Sequence, residues 1–190
     1  MRTRVVVKRP ERVVFQETPE IFFGEKMQKW IQGEIERKQW IYKVIDGKQE
    51  ENSVILNTEN FMILPDMEVS GDGKPEHWLA IFKDTDLLSN RYLNGSHLPL
   101  LHSIRSKIIE KFSNNESLMM YFHHPPSVWQ LHLHISTQCD TLRSTNDMQK
   151  VCFLDDVISQ LTIDPDYYRK ASVTYVLPAT HELIKTLNYV

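Results

Sequence analysis

Gln130-Leu131-His132-Leu133-His134-Ile135-Ser136 alternates polar and apolar residues without a break. Successive side chains on a strand point to opposite faces. The spacing therefore predicts a strand that sends Leu131, Leu133 and Ile135 into a core and lines up Gln130, His132, His134 and Ser136 on the other face. Two imidazoles and an amide in a row suit a nucleotide or metal site better than packing. The residues alone leave three readings open for His132 and His134. They are hydrogen-bonded histidines on a half-buried sheet face, ligands of a metal completed by His123 or His124, or parts of a nucleophilic site at phosphorus whose neighbours hold phosphate oxygens.

Working outward, residues 118–123 predict a strand that Pro125-Pro126 interrupts. Further strands are expected over 5–7, 12–15, 40–45, 53–56, 61–64, 77–83 and 172–177, with Asp46-Gly47 as a strong turn. Pro19 suits the first turn of a helix in which Met27, Trp30, Ile31 and Ile35 recur at helical spacing. A second helix is expected over 97–112, capped by Ser96 and striped by Leu101, Ile104 and Ile108. Residues 151–161 and 181–187 read as two more, while 69–75 and 137–147 read as loops. Strands outnumber helices and come in runs, so the fold class is α+β, an antiparallel β-sheet packed with helices.

A chain of 190 residues is long enough for one substantial core. The formal net charge of −3 argues against a broad, sequence-blind nucleic-acid surface, and so against DNA as a partner, but suits a small nucleotide held by a few groups. The apolar runs are too short to span a bilayer, and Val5-Val6-Val7 is too short for a signal peptide. Two cysteines, Cys139 and Cys152, suit a reducing intracellular compartment.

The longer stretch Tyr121-Phe122-His123-His124-Pro125-Pro126-Ser127-Val128-Trp129-Gln130-Leu131-His132-Leu133-His134-Ile135 resembles the motif of the scavenger mRNA-decapping enzymes, a family of the histidine triad (HIT) superfamily. That motif has a histidine, two positions, Pro-Ser, two aromatics, then three alternating histidines. Segments 40–46, 63–67, 96–101, 164–168 and 173–175 are similar to family segments in the family's order, so the resemblance covers most of the chain. It implies a HIT-like domain over 16–190, with residues 1–15 as a short strand remnant of a dimerisation and lid region. It also implies metal-independent hydrolysis of the triphosphate bridge of 7-methylguanosine cap dinucleotides or short capped RNA, with no cofactor, in a homodimer of the cytoplasm and nucleus.

By the same resemblance His132 is the nucleophile, forming a covalent nucleotidyl intermediate, and His134, His123 and Ser127 serve the phosphates. Trp40 stacks on the cationic base and Glu50 reads guanine N1–H and N2–H. Pro65, Asp66 and Met67 line the cap pocket, with Asp66 toward the ribose. Five positions depart from the family pattern, one of them Val128 in place of an aromatic. Gln130 replaces the first histidine of the triad, and Glu68 stands where a lysine faces phosphates. Trp78 replaces a phosphate-side tyrosine, and Lys150 stands in for a basic residue after the triad strand. Glu68 and Gln130 favour, as the alternative, a catalytically weakened paralogue that binds cap nucleotides or regulates an active partner, while His132, His134, Trp40 and Glu50 favour the enzyme. The apolar stripe of the helix after Pro19 supplies the physical motive for a homodimer.

Overall fold

The triad strand sits inside a six-stranded antiparallel sheet. The computed structural model describes residues 11–50, 53–66, 77–113, 118–137 and 151–188. In chain order these form β1 (Arg12–Glu17), α1 (Pro19–Phe22), α2 (Glu25–Arg37), α3 (Trp40–Ile45), β2 (Leu56–Asn57), β3 (Phe61–Pro65) and β4 (His77–Phe82). There follow α4 (Leu98–Lys111), β5 (Met119–His123), β6 (His132–Ser136), β7 (Val151–Phe153), α5 (Leu154–Ile163), α6 (Tyr167–Lys170), β8 (Val173–Pro178) and α7 (Glu182–Leu187). The large sheet runs β2-β3-β4-β6-β5-β7, and β1 pairs with β8 in a separate ribbon.

Alternation along these strands divides the sheet into two faces. Phe61, Ile63, Ala80, Phe82, Leu133 and Ile135 share one face and are buried against Leu101, Ile104 and Ile108 of α4 and Val157 and Leu161 of α5. On the other face Met62, Leu64 and Ile81 are covered by Ile41 and Val44 of α3. Each fully buried aliphatic side chain stabilises the fold by about 1.5–3 kcal/mol, so α3 is held by its two core residues and not by intrinsic helix propensity. The strand expected over 40–45 is therefore a helix. Its Trp, Ile, Tyr and Val content favours a strand, but Ile41 and Val44 lie three apart and meet the sheet on one helical face.

Other boundaries move for local reasons. Gly24 separates α1 from α2; a Cβ there would come within 2.6 Å of the Glu20 carbonyl oxygen, so only glycine fits the break. Asn94, rather than Ser96, caps the approach to α4, its Oδ1 accepting from the Ser96 N–H at 2.9 Å. The strand expected over 53–56 gives way to β2, which shares only Leu56 with it, and 151–153 pair as β7 before α5 begins. The strand expected over 5–7 lies outside the described residues, and β1 crosses the boundary drawn at residue 15.

A second core lies under the ribbon. Phe15, Tyr175 and Leu177 pack with Met27 and Ile31 of α2, Leu183 and Ile184 of α7, and Trp129 from the loop before β6. This corrects the physical motive for a homodimer: the apolar stripe of α2 is covered by the chain itself. Against this core lies a buried polar knot. Glu17 accepts from Tyr175 Oη at 2.8 Å and meets Arg91 Nε at 3.2 Å and His124 Nε2 at 2.9 Å. Arg91 also donates to the Ala171 carbonyl at 2.7 Å and lies over the Phe22 ring. The knot ties β1, β8 and the turn after β5 together, and so fixes the loop that carries Ser127.

Candidate functional site

The registers of β4, β5 and β6 dictate what the open face of the sheet presents. Leu79 pairs with His134 and Ile81 with His132 on one side, and Tyr121 pairs with His134 on the other. His123 lies two residues beyond Tyr121 on the same face, its ring 4.3 Å from that of His134, whose ring is 5.2 Å from that of His132. The Tyr121 ring stacks on His134 at an interplanar angle of 7°. Three histidines are thus brought together, as expected, on the face away from α4.

His132 Nδ1 lies 2.7 Å from the backbone carbonyl of Gln130. A carbonyl only accepts, so Nδ1 carries the proton and Nε2 keeps its lone pair. Burial holds the ring's pKa below the ordinary histidine value, opposed by the Gln130 carbonyl and by the charge of Asp66. His134 is depressed to about 2, first by burial and then by His132, His123 and His77. Both rings are accordingly neutral near pH 7, and His132 is a competent nucleophile as it stands. His134 Nε2 is buried and has no hydrogen-bond partner among the described residues.

In front of these rings lies a cleft of about 410 Å³. Ile41, Val44, Leu64, Leu79 and Ile81 form its apolar floor, and Trp40, Glu50, Pro65, Asp66 and Ser127 stand around it with His132 and His134. Trp40 opens α3 and is 44% exposed. Glu50 sits at φ 57°, a left-handed conformation that costs a non-glycine residue roughly 1–2 kcal/mol, and Ser53 Oγ donates to its carboxylate at 3.2 Å. Such strain clusters at ligand sites. Tyr42 Oη donates to the Trp129 carbonyl at 3.1 Å, and Lys38 Nζ, just past the end of α2, donates to the Ser127 carbonyl at 2.5 Å, so α3 and the residue that ends α2 both hold the loop of the triad strand. An aromatic face with carboxylates beside an apolar floor suits a cationic aromatic ring whose edge carries N–H donors.

Sequence reasoning placed Gln130 on the site face; the structure does not. Gln130 precedes β6, is fully buried, and donates both amide hydrogens away from the cleft, to the Phe82 carbonyl at 2.8 Å and the Asp84 carbonyl at 2.9 Å. Trp78 is also corrected. It pairs with Ile135 on the helix-covered face and packs on Phe112 at 4.7 Å, so it reaches no phosphate in the cleft. Met67, Glu68 and Lys150 lie outside the described residues. The apolar floor was missed as a site feature. Leu79 and Ile81 carry a signal for it, since they alternate with core-facing Ala80 and Phe82. Among the described residues no group of three His, Cys, Asp or Glu side chains is arranged to hold a metal.

The sequence is similar to that of known proteins. The family described as scavenger mRNA decapping enzyme C-term binding matches residues 39–151, more than half of the chain, and the chain belongs to that family. An m7GpppX diphosphatase of Ascaris suum is 29% identical over 175 residues, covering 87% of this chain and 58% of the relative. Enzymes of the same name are 28% identical in Caenorhabditis elegans, over 88% of this chain and 57% of the relative, and in Homo sapiens, over 78% and 47%. The chain thus spans about half the length of the curated relatives it matches. A solved structure of the aprataxin ortholog Hnt3 from Schizosaccharomyces pombe superposes with a TM-score of 0.43 at 16% identity, covering 70% of this chain and 83% of that one.

Proposed function

We propose that this chain binds the 7-methylguanosine end of cap dinucleotides or short capped RNA and hydrolyses their 5′–5′ triphosphate bridge. The observation that carries the reading is the Gln130 carbonyl on His132 Nδ1, which leaves Nε2 unprotonated in the wall of the aromatic and carboxylate-lined cleft. Trp40 stacks on the methylated base, Glu50 takes the N1–H and N2–H edge, and Asp66 takes the ribose. His132 Nε2 attacks the phosphorus nearest that ribose. A P–N bond forms and a P–O bond breaks, releasing a nucleoside or short RNA diphosphate. Water then cleaves the P–N bond to give 7-methylguanosine monophosphate and the free imidazole. His134, His123 and Ser127 hold the phosphate oxygens, and no metal is required. The relatives named m7GpppX diphosphatase support hydrolysis of the bridge. The protein acts in the cytoplasm and nucleus.

A second reading is a cap-binding paralogue with reduced turnover. It is favoured by one observation: among the described residues no Lys or Arg side chain lines the cleft, although the substrate carries a triphosphate. One incubation separates the two. Methylated and unmethylated cap dinucleotides are mixed with the protein in chelator, and the products are resolved by chromatography. Release of 7-methylguanosine monophosphate from the methylated compound alone supports the enzyme. Binding without release supports the paralogue, and equal behaviour of both compounds refutes the cap assignment.

A further inference from the structure

Each residue from Trp129 to Leu131, the stretch that leads into the nucleophile, is tied to a neighbouring element. The Leu131 N–H bonds the Leu87 carbonyl at 2.7 Å, and the Gln130 amide donates to the Phe82 and Asp84 carbonyls at 2.8 and 2.9 Å. These ties lead to the end of β4 and the turn after it. The Trp129 tie leads elsewhere: its carbonyl accepts from Tyr42 Oη at 3.1 Å, and Tyr42 belongs to α3, the helix that Trp40 opens. Tyr42 does not line the cleft, so it acts on the site through what it holds. We infer that Tyr42 is a positioning residue that couples a base on Trp40 to the geometry of His132. The inference rests on the proposed cap hydrolysis, in which the base stacks on Trp40 and His132 Nε2 attacks phosphorus.

The path is short. Trp40 and Tyr42 lie two residues apart on one helix of six residues. Tyr42 grips the peptide adjacent to the one whose carbonyl lies 2.7 Å from His132 Nδ1. Burial pushes the Tyr42 hydroxyl above its ordinary pKa, so it remains a donor at neutral pH and beyond. The helix is also built to respond. Six residues are too few to stand alone as a helix, and no side chain caps the first turn: Gln39, at the N-cap, donates back to the Ile35 carbonyl at 2.8 Å. The helix is placed by Ile41 and Val44 on the sheet and by the Tyr42 bond, while Trp40 at its start is 44% exposed. A cationic base stacked on that indole orders the first turn. Tyr42 passes this order to the peptide between Trp129 and Gln130, which settles the Gln130 carbonyl on Nδ1 and keeps Nε2 unprotonated. Occupancy of the base site is thereby felt at the nucleophile.

The test uses the full chain and two probes: the nucleoside 7-methylguanosine, which has no phosphate to touch His132, and the methylated cap dinucleotide. Tyr42→Phe keeps the ring and removes the hydroxyl, with thermal melting as the check on the fold. The variant should bind the nucleoside with the parent's affinity, because Trp40 and Glu50 stay in place. Its kcat on the dinucleotide should fall by roughly fivefold to tenfold, the worth of one hydrogen bond. Unchanged kcat, or a loss of nucleoside affinity as large as the loss of kcat, overturns the inference. The ring-nitrogen NMR shifts of His132 read the coupling itself. Adding the nucleoside to the parent should move them further toward the Nδ1–H tautomer, and Tyr42→Phe should lack this response. No response in the parent, or the same response in both proteins, overturns the inference. If the nucleoside fails to bind the parent, the cap reading itself fails and the coupling with it. If it binds and the parent releases no product from the dinucleotide, the hydrolysis reading fails, and the His132 shifts alone decide the coupling.

Discussion

Replacing Gln130 tests whether the position contributes chemistry or structure. In Gln130→Leu the Phe82 and Asp84 carbonyls lose the amide hydrogens that now reach them at 2.8 and 2.9 Å. The Phe82 bond is buried, and leaving its acceptor unsatisfied costs about 1–3 kcal/mol; the Asp84 bond is partly solvated and contributes about 1 kcal/mol. Against this, Gln130 Oε1 is itself a buried acceptor without a partner among the described residues, and its removal returns about 1 kcal/mol. The net expectation is a loss of roughly 1–3 kcal/mol, read by urea unfolding at pH 7.5. Gln130→His, which restores the family's residue, is the sharper case. A neutral imidazole has one N–H for two carbonyls and faces the turn after β4, so it should destabilise the protein and leave turnover of the cap dinucleotide at the parent's level. A rise of about tenfold, equivalent to 1.4 kcal/mol of barrier, would mean that the side chain reaches the phosphates. Unchanged stability in Gln130→Leu would refute the hydrogen-bond argument.

Acidification should destabilise the fold through His134. Its folded pKa is depressed from 6.5 to about 2, so between those values the unfolded chain binds more protons. Stability is then complete above pH 6.5 and falls by up to about 1.4 kcal/mol per unit below it; urea midpoints at pH 7.5, 6 and 5 should decline in step, and a flat series contradicts this. Arg91→Met removes a fully buried cation from Glu17 and should cost about 3–5 kcal/mol in the same assay; a loss below about 1 kcal/mol would mean that His124 and Tyr175 suffice to hold the carboxylate. Trp40→Ala should abolish detectable binding of 7-methylguanosine monophosphate in a fluorescence titration while leaving the melting temperature near the parent's, because the indole is half-exposed. Retained binding would remove Trp40 from the site.

Much of the frame was legible because it is local. The alternation through 131–136, the stripe Leu101, Ile104 and Ile108, and the runs that became β3, β4 and β8 each carry their own period. The histidine cluster was legible for the same reason, since strand parity brings His132 and His134 to one face. What escaped depends on partners distant in sequence. Residues 40–45 are strand-like until Met62, Leu64 and Ile81 offer a floor that only a helix can cover with Ile41 and Val44. Alternation puts Gln130 beside His132, but the chain leaves the ladder at Leu131, whose N–H bonds the Leu87 carbonyl, and the amide turns to the β4 turn instead. Trp78 was assigned by resemblance, and parity with Ile135 decides otherwise. The Glu17, Arg91, His124 and Tyr175 knot joins four separate stretches, none of which signals the others.

The central claim is that His132 acts on phosphorus while the base is held elsewhere in the cleft. His132→Asn removes the nucleophilic Nε2 lone pair and leaves Trp40, Glu50 and Asp66 in place. Cap-dinucleotide binding and hydrolysis are measured on this variant and its parent, both in chelator. The variant should bind with parent-like affinity and release no 7-methylguanosine monophosphate. Turnover that persists in His132→Asn, or parent activity that disappears with the chelator, would contradict it.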